Sequence, residues 1–144
     1  MAIDFGSDYS TIRDDGTYGL TYNRITGPRV PLEGVVRLWL TMPANPQDAQ
    51  SQGDLPWDPS LGFDITRLEN SAHASIDLTR YAEMMRRQAL NVDFVVAARV
   101  KIAQAEDASI AIEAWITLAD LTLHPLLVTA NQAAGVVVLF PQLS

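Results

Sequence analysis

Two stretches of the chain carry apolar residues at helical spacing. The first runs from Pro31 to Met42, and it predicts a helix that begins near Pro31 and stops before Pro43. We place Glu33 in the first turn of this helix, where a negative charge suits the helix dipole. The second runs from Asp77 to Leu90, and it predicts a helix that stops near Asn91. The apolar positions are Leu32, Val35, Val36, Trp39 and Met42 in the first stretch, and Leu78, Tyr81, Ala82, Met85 and Ala89 in the second.

Beyond Asp93 the period of the pattern changes to two, which is typical of strands. Two alternating runs flank a turn at residues 104–107 and predict an antiparallel hairpin with one core face. In the first run Ala98, Val100 and Ile102 alternate with Arg99 and Lys101; in the second, Ile110, Ile112, Ala114, Ile116 and Leu118 alternate with Ser109, Ala111, Glu113, Trp115 and Thr117. A third strand is predicted within residues 123–129 and a fourth at residues 136–140. Pro125 favours an edge or a start position for the third strand.

The remaining stretches lack a regular period. Residues 1–27 are rich in glycine and polar side chains, and we read them as an extended arm with a short ribbon at residues 19–25 that contributes little to a core. Residues 43–62 contain four prolines and predict a long loop, followed by a short helical turn at residues 64–69. The order predicts an α+β fold: an arm over 1–27, then a single domain over 28–144 with two main helices and a mostly antiparallel C-terminal sheet of three to four strands.

Composition narrows the classes of partner. The chain has 144 residues, which suits one domain, and it has no cysteine, which excludes a disulfide framework and a thiol nucleophile. Ten basic against 17 acidic residues give a net charge of −7, which argues against nucleic acid or an anionic membrane as the main partner. No stretch approaches the ~20 apolar residues of a membrane span. Asp4 and Asp8 argue against a signal peptide, so we expect the protein to remain in the compartment where it is made.

The search for catalytic or metal-binding patterns finds little. His73 and His124 lack the spacing of paired ligands, and no serine-nucleophile elbow or phosphate-binding glycine loop is present. A pair of carboxylates suited to glycoside hydrolysis depends on the fold and stays open at this point. We therefore expect no enzyme activity, no metal and no cofactor.

Several features suit an interface. Arg80, Arg86 and Arg87 on the second helix indicate either a solvated face or a contact with an acidic partner. Trp57 in the proline-rich loop and Trp115 on the strand face opposite the isoleucines are better interface candidates than Trp39. No charged residue follows Asp120, and the strand over residues 136–140 is apolar on both faces. We expect another chain to complete the sheet there by strand addition.

The chain also resembles a family. Gly27, the helix over residues 32–40, Thr41-Met42-Pro43, Leu55-Pro56-Trp57-Asp58-Pro59, Leu61-Gly62-Phe63-Asp64-Ile65, the helix over 78–90 and the strands after Asp93 resemble the lysozyme-like baseplate wedge family of contractile phage tails. The resemblance covers about residues 25–140. Where the family usually has Glu-Pro-Arg or Asp-x-Arg at the start of the sheet, this chain has Asp93-Phe94-Val95, so only the acid matches.

The resemblance implies a structural role in the virion rather than catalysis. Members sit in the inner baseplate, which assembles in the host cytoplasm. They bind other wedge subunits through their N-terminal part and offer their C-terminal sheet to the first ring of tail sheath subunits, near the tail tube or hub. The residues that we expect at a partner interface are Tyr9, Tyr18, Trp57, Arg80, Asp93, Arg99, Trp115, Val136, Val137, Val138 and Phe140. A small ligand-binding α+β module is the alternative, and a muramidase is a third reading.

Overall fold

The computed structural model describes residues 3–41, 62–63, 65–68, 75–105, 109–131 and 135–141. In chain order its elements are β1 (Ser7–Tyr9), β2 (Arg24–Thr26), α1 (Arg29–Leu40), a 3₁₀ helix (Ile65–Leu68), α2 (Ser75–Ala89), β3 (Val95–Gln104), β4 (Ile110–Leu118), β5 (Leu123–Asn131) and β6 (Gly135–Leu139). Two helices and antiparallel sheets make this an α+β fold, as the sequence predicts. The proline-rich loop, with Trp57, and His73 lie outside the described residues.

The four-stranded sheet has the order β3-β4-β5-β6, and all neighbouring strands are antiparallel. Its inner face is the one that the alternation predicts: every inward side chain of β4 is buried, and Leu126, Val128 and Ala130 of β5 lie beside them. The inward residues of β4 are Ile110, Ile112, Ala114, Ile116 and Leu118. Buried side chains from α1, the 3₁₀ helix and α2 belong to the same core.

Pro125 lies at the third position of β5, which is an interior strand. The Leu118 amide donates to the Thr122 carbonyl at 3.0 Å, and from this pair outward, hydrogen-bonded and non-hydrogen-bonded pairs alternate along β4 and β5. Pro125 and Trp115 fall in a non-hydrogen-bonded pair, and β6 reaches back only as far as Leu127. The missing N–H of Pro125 therefore breaks no bond of the sheet, although Pro125 is neither on an edge strand nor the first residue of β5.

Helix α1 begins two residues before the predicted start. Proline lacks only an N–H that is unpaired in the first turn of a helix anyway, so Pro31 is accommodated as the third residue. Because the helix starts earlier, Glu33 does not lie in its first turn, contrary to the prediction. The side chain faces the core instead. Trp39 is also in the core, as expected, and its indole Nε1 donates to the Met85 carbonyl of α2 at 2.9 Å.

The expectation that residues 1–27 contribute little to the core is wrong. Phe5 and Ile12 are buried members of the core. The short ribbon is present, but its strands are β1 and β2, which pair over Ser7–Tyr9 and Arg24–Thr26 rather than at residues 19–25. The arm therefore packs on the domain by its own apolar side chains.

Glu33 attaches the arm to α1. Its carboxylate is 0% exposed and accepts hydrogen bonds from the Thr11 amide at 2.7 Å and from the Ser10 hydroxyl at 3.1 Å. Arg29, one turn earlier on the helix, donates to the same carboxylate at 2.6 Å. A buried charge is tolerated only when it is paired and hydrogen-bonded, and here the helix supplies the charge partner while the arm supplies the neutral donors.

We expect Glu33→Ala to lower the free energy of unfolding by about 2 to 5 kcal/mol, because it leaves the Ser10 and Thr11 donors without their acceptor. Chemical denaturation followed by tryptophan fluorescence measures the change. Asp8→Ala is the control, since it removes a partly exposed ion pair with Arg37 (2.8 Å) from the same arm and should cost much less. Equal losses in the two variants would contradict the role assigned to Glu33.

Candidate functional site

The outer edge of β3 is an unpaired strand edge. Within the described parts of the chain, β4 is the only strand that pairs with β3. The Ala105 amide donates to the Ser109 carbonyl at 2.9 Å, and counting back from this hydrogen-bonded pair along the register shows which residues of β3 face outward. The backbone N–H and C=O groups of Ala98, Val100 and Ile102 point away from β4. A partner strand would pair with these groups.

Helix α2 forms a wall beside this edge. A groove of about 500 Å³ lies between α2 and β3, and Leu78 and Ala82 provide apolar surface on the helix side. The side chains of Val100 and Ile102 also line it and are half-buried. The edge is therefore long, apolar at its base and bordered by a helix.

The rim of the groove is charged. Glu83 of α2 accepts two hydrogen bonds from Arg86, at 2.7 and 2.8 Å, and one from Arg87 at 3.1 Å. The bonds from Arg86, and then the bond from Arg87, lower the pKa of Glu83 to about 2. Two arginines thus share a single carboxylate, which leaves an excess of positive charge on this side of the helix.

Arg99 and Trp115 are cross-strand neighbours on the outer face of the sheet. The Arg99 guanidinium lies over the Trp115 ring, 5.6 Å from its centroid, and both border a shallow cavity of about 430 Å³ together with Leu123. Leu123 and Leu139, on the same face, are about half exposed, at 54% and 48%. The outer face therefore presents an aromatic and aliphatic surface, and the two predicted interface residues meet on it.

The edge of β6 has a partner within the chain. The Val138 amide donates to the Gly16 carbonyl at 2.7 Å, and Thr17 forms an isolated bridge with Val137. The expectation that the strand over residues 136–140 lacks any backbone partner at its edge is therefore wrong at Val138. Val138 is also buried, whereas Val136, Val137 and Phe140 are partly buried. Their role at an interface with another chain stays a prediction.

Tyr18 and Asp93, two more predicted residues, line one cleft of about 550 Å³ between the arm, α1 and the turn before β3. Burial raises the pKa of the Tyr18 phenol, and the Asp8–Arg37 ion pair crosses the same cleft, where the Arg37 hydrogen bond lowers the pKa of Asp8. Phe94 adopts a left-handed φ of 71° and packs edge-on against Phe5, with ring centroids 5.2 Å apart. Phe94, which follows Asp93 in the chain, thus forms an aromatic wall of this cleft.

The remaining predicted interface residues are dispersed. Tyr9 is exposed on β1, and Arg80 is exposed on α2, where it pairs with Asp77 at 3.1 Å. Phe140 lies under the Arg29 guanidinium at 5.3 Å.

The outward backbone groups of β3 were not predicted as a site. The charged residues Arg99 and Lys101 gave a signal, since natural edge strands often carry charges.

His124 does not form a nucleophilic pair. The Thr122 hydroxyl donates to Asp120 at 2.5 Å, so the His124 Nε2, 2.8 Å from that hydroxyl, must be the donor and cannot act as its base. This bond from Thr122 also lowers the pKa of Asp120. The turn is thus held together by its own polar groups.

Among the residues placed in the structure, no three or more His, Asp or Glu side chains are grouped so that they could hold a metal ion. No helix in the same set is long and apolar enough to cross a membrane. Comparison of the chain with protein-family models, with curated proteins and with solved structures finds no match.

We expect Gly16→Ala to detach the arm from β6. Gly16 has a φ of 85°, and an added Cβ would lie 2.8 Å from both the Val138 carbonyl oxygen and a Val137 methyl group. The loss of stability should be about 1 to 3 kcal/mol, with faster hydrogen exchange at the Val138 amide. Gly6→Ala is the matched control, because Gly6 has a φ of 80° but its added Cβ meets nothing within 4 Å. Unchanged exchange at Val138 in Gly16→Ala would show that the contact is not needed to cover this edge.

The ion pairs of Glu83 with Arg86 and Arg87 should make the stability of the fold depend on pH in the acid range. The pKa of Glu83 is lowered from 4.5 to about 2 in the folded chain, so its contribution is fully present above about pH 4.5 and is lost as the pH falls towards 2. We expect Glu83→Gln to flatten this part of the profile of melting temperature against pH. Asp14→Asn, which changes an exposed carboxylate of the arm, serves as the control. An unchanged acid limb in Glu83→Gln would contradict the assignment.

Proposed function

We propose that this protein is a structural assembly component that docks to partner subunits and accepts a strand from one of them at a free edge of its four-stranded sheet. The single observation that carries the proposal is the outer edge of β3, where the backbone groups of Ala98, Val100 and Ile102 point away from β4. Val100 and Ile102 also line the groove beside α2. The resemblance to the baseplate wedge family supplies the setting: the inner baseplate of a contractile tail, with other wedge proteins and the tail sheath as partners.

The physical reasons favour this edge over that of β6. Pairing along β3 offers three residues with outward N–H and C=O groups, and main-chain hydrogen bonds of this kind give affinity without demanding a particular sequence. At β6, the Gly16 carbonyl already occupies the Val138 amide. A strand that docked on β6 would first have to displace the arm.

The outer sheet face supports the same proposal. Tryptophan and arginine are the residue types that most often dominate binding energy at interfaces, and Arg99 and Trp115 form a stacked pair beside exposed leucines. A partner that added a strand to β3 could cover this face with the part of its chain that follows. The proposed role uses binding surfaces and no chemical step.

A small ligand-binding module is the second candidate, favoured by the cleft that Tyr18 and Asp93 share. Its volume of about 550 Å³ lies within the range of small-molecule sites, and it combines aromatic walls with an ion pair. A thermal-shift screen of small metabolites distinguishes this candidate. Stabilisation that Tyr18→Ala abolishes, with sheath binding unaffected, would favour it over the assembly role.

We expect Ala98→Pro to abolish co-purification with co-expressed tail sheath and baseplate wedge proteins, while the melting temperature changes little. Proline removes an outward N–H from the edge and leaves the bonds to β4 in place. Val136→Pro makes the same change on the outward side of β6 and should leave partner binding intact. The opposite result, with loss of binding only in Val136→Pro, would assign the docking edge to β6.

A further inference from the structure

Positive charge is concentrated on the side of the molecule that carries the free edge. Helix α2 and strand β3 together hold five basic residues, Arg80, Arg86, Arg87, Arg99 and Lys101, against two acidic ones, Asp77 and Glu83. This is a net charge of +3 in a chain of −7, and it falls to +2 when Glu113, the cross-strand neighbour of Lys101 on β4, is included. Such asymmetry attracts a negatively charged partner to this side by long-range electrostatics.

The charges also have a fixed relation to the groups that would bind a strand. Arg99 and Lys101 alternate with Ala98, Val100 and Ile102, so their side chains project to the outer face of the sheet between the outward backbone groups. Residues of an added strand that lie opposite Arg99 and Lys101 would project to the same face. Oppositely charged cross-strand neighbours stabilise a sheet, and like charges destabilise it.

The other face of an added strand would meet a different environment. Residues opposite Val100 and Ile102 would point into the groove, towards Leu78 and Ala82 of α2. Apolar side chains would fit there. The groove therefore favours a strand whose residues alternate between acidic and apolar.

The same charges disfavour pairing between two copies of this chain through β3. Such pairing would bring the Arg99 and Lys101 side chains of one copy onto a strand that carries the same two cations. A copy of β3 is thus a poor occupant of its own edge.

We propose that the edge of β3 accepts an extended acidic segment of a partner protein, in which carboxylates alternate with apolar residues. Main-chain bonds form to Ala98, Val100 and Ile102, the carboxylates pair with Arg99 and Lys101, and the apolar residues enter the groove beside α2. This inference rests on the proposed function, because it names the chemistry of the strand that the assembly role requires. It also gives Arg99 a second partner beside the Trp115 ring, because a guanidinium can bind a carboxylate through its N–H groups.

The test uses three fluorescein-labelled peptides of ten residues: alternating Glu-Val, alternating Thr-Val and alternating Lys-Val. Fluorescence anisotropy with the full chain should give the highest affinity for Glu-Val, about tenfold above Thr-Val, because two opposite-charge pairs are gained. Raising the salt concentration to 0.5 M should reduce this difference. Lys-Val should bind most weakly.

Two matched variants distinguish the effect of charge at the β3 edge from the effect of the net charge of the whole chain. Lys101→Glu and Arg24→Glu change the net charge equally. Arg24 lies on β2, however, and in the described structure its side chain forms a hydrogen bond only with the Ser7 hydroxyl. We expect Lys101→Glu to weaken Glu-Val binding about tenfold and to strengthen Lys-Val binding, whereas Arg24→Glu should change each by less than about twofold. Amide shifts on peptide binding should centre on Ala98, Val100 and Ile102.

Each outcome has one meaning. Equal affinity for the three peptides, with the amide shifts still on β3, would leave strand addition standing and overturn the preference for acidic strands. Equal effects of Lys101→Glu and Arg24→Glu would also overturn it, because the attraction would then be non-local. Failure of all three peptides to bind would contradict both the acidic strand and the docking edge itself.

Discussion

The buried carboxylate of Glu33 is the interaction on which the arrangement of the arm depends. A charge on the core side of α1 must find donors there, and the helix itself provides only Arg29. The remaining donors are Ser10 and Thr11, so the arm has to cross α1 at this point. From that crossing the chain continues to Gly16 at the edge of β6 and returns through β2 into α1. One buried carboxylate thus fixes the course of the arm and, five residues beyond Thr11, the cover of a sheet edge.

The sheet protects its two edges by different means. The β6 edge carries no charged side chain, and a backbone contact from the arm covers it at Val138. The β3 edge has no such cover in the described structure, but it carries Arg99 and Lys101, which repel a copy of the same strand. A charged edge discourages self-association while it remains open to a strand of opposite charge. The proposed docking edge therefore combines protection with selectivity.

The local pattern of the sequence was sufficient to predict the two main helices, the four strands of the larger sheet and the core face of that sheet, but not the strands of the arm. The alternation of apolar and polar residues correctly predicts that Ile112 and Ile116 point inward and Trp115 outward. The register of β3 against β4 then places Arg99 opposite Trp115. The role of Glu33 was not predictable in this way, because its donors lie 22 and 23 residues earlier in the chain. The sequence also could not show which sheet edge is covered within the described residues, because the contact between Gly16 and Val138 joins segments that no periodicity relates. The early start of α1 was missed because Pro31 looks like a first residue but is equally compatible with the third.

The contact between Gly16 and Val138 also bears on the order of events during synthesis. The acceptor on residue 16 leaves the ribosome more than a hundred residues before the amide of residue 138 to which it binds. Until β6 has emerged, the arm has Glu33 to bind but no strand edge to cover, and pairing over such a separation is slow because of the entropy of closing the chain. The contacts between Glu33 and the arm join residues that are close in the chain, so they can form before the contact with β6. Closure of the β6 edge has to wait until β6 itself has been synthesised.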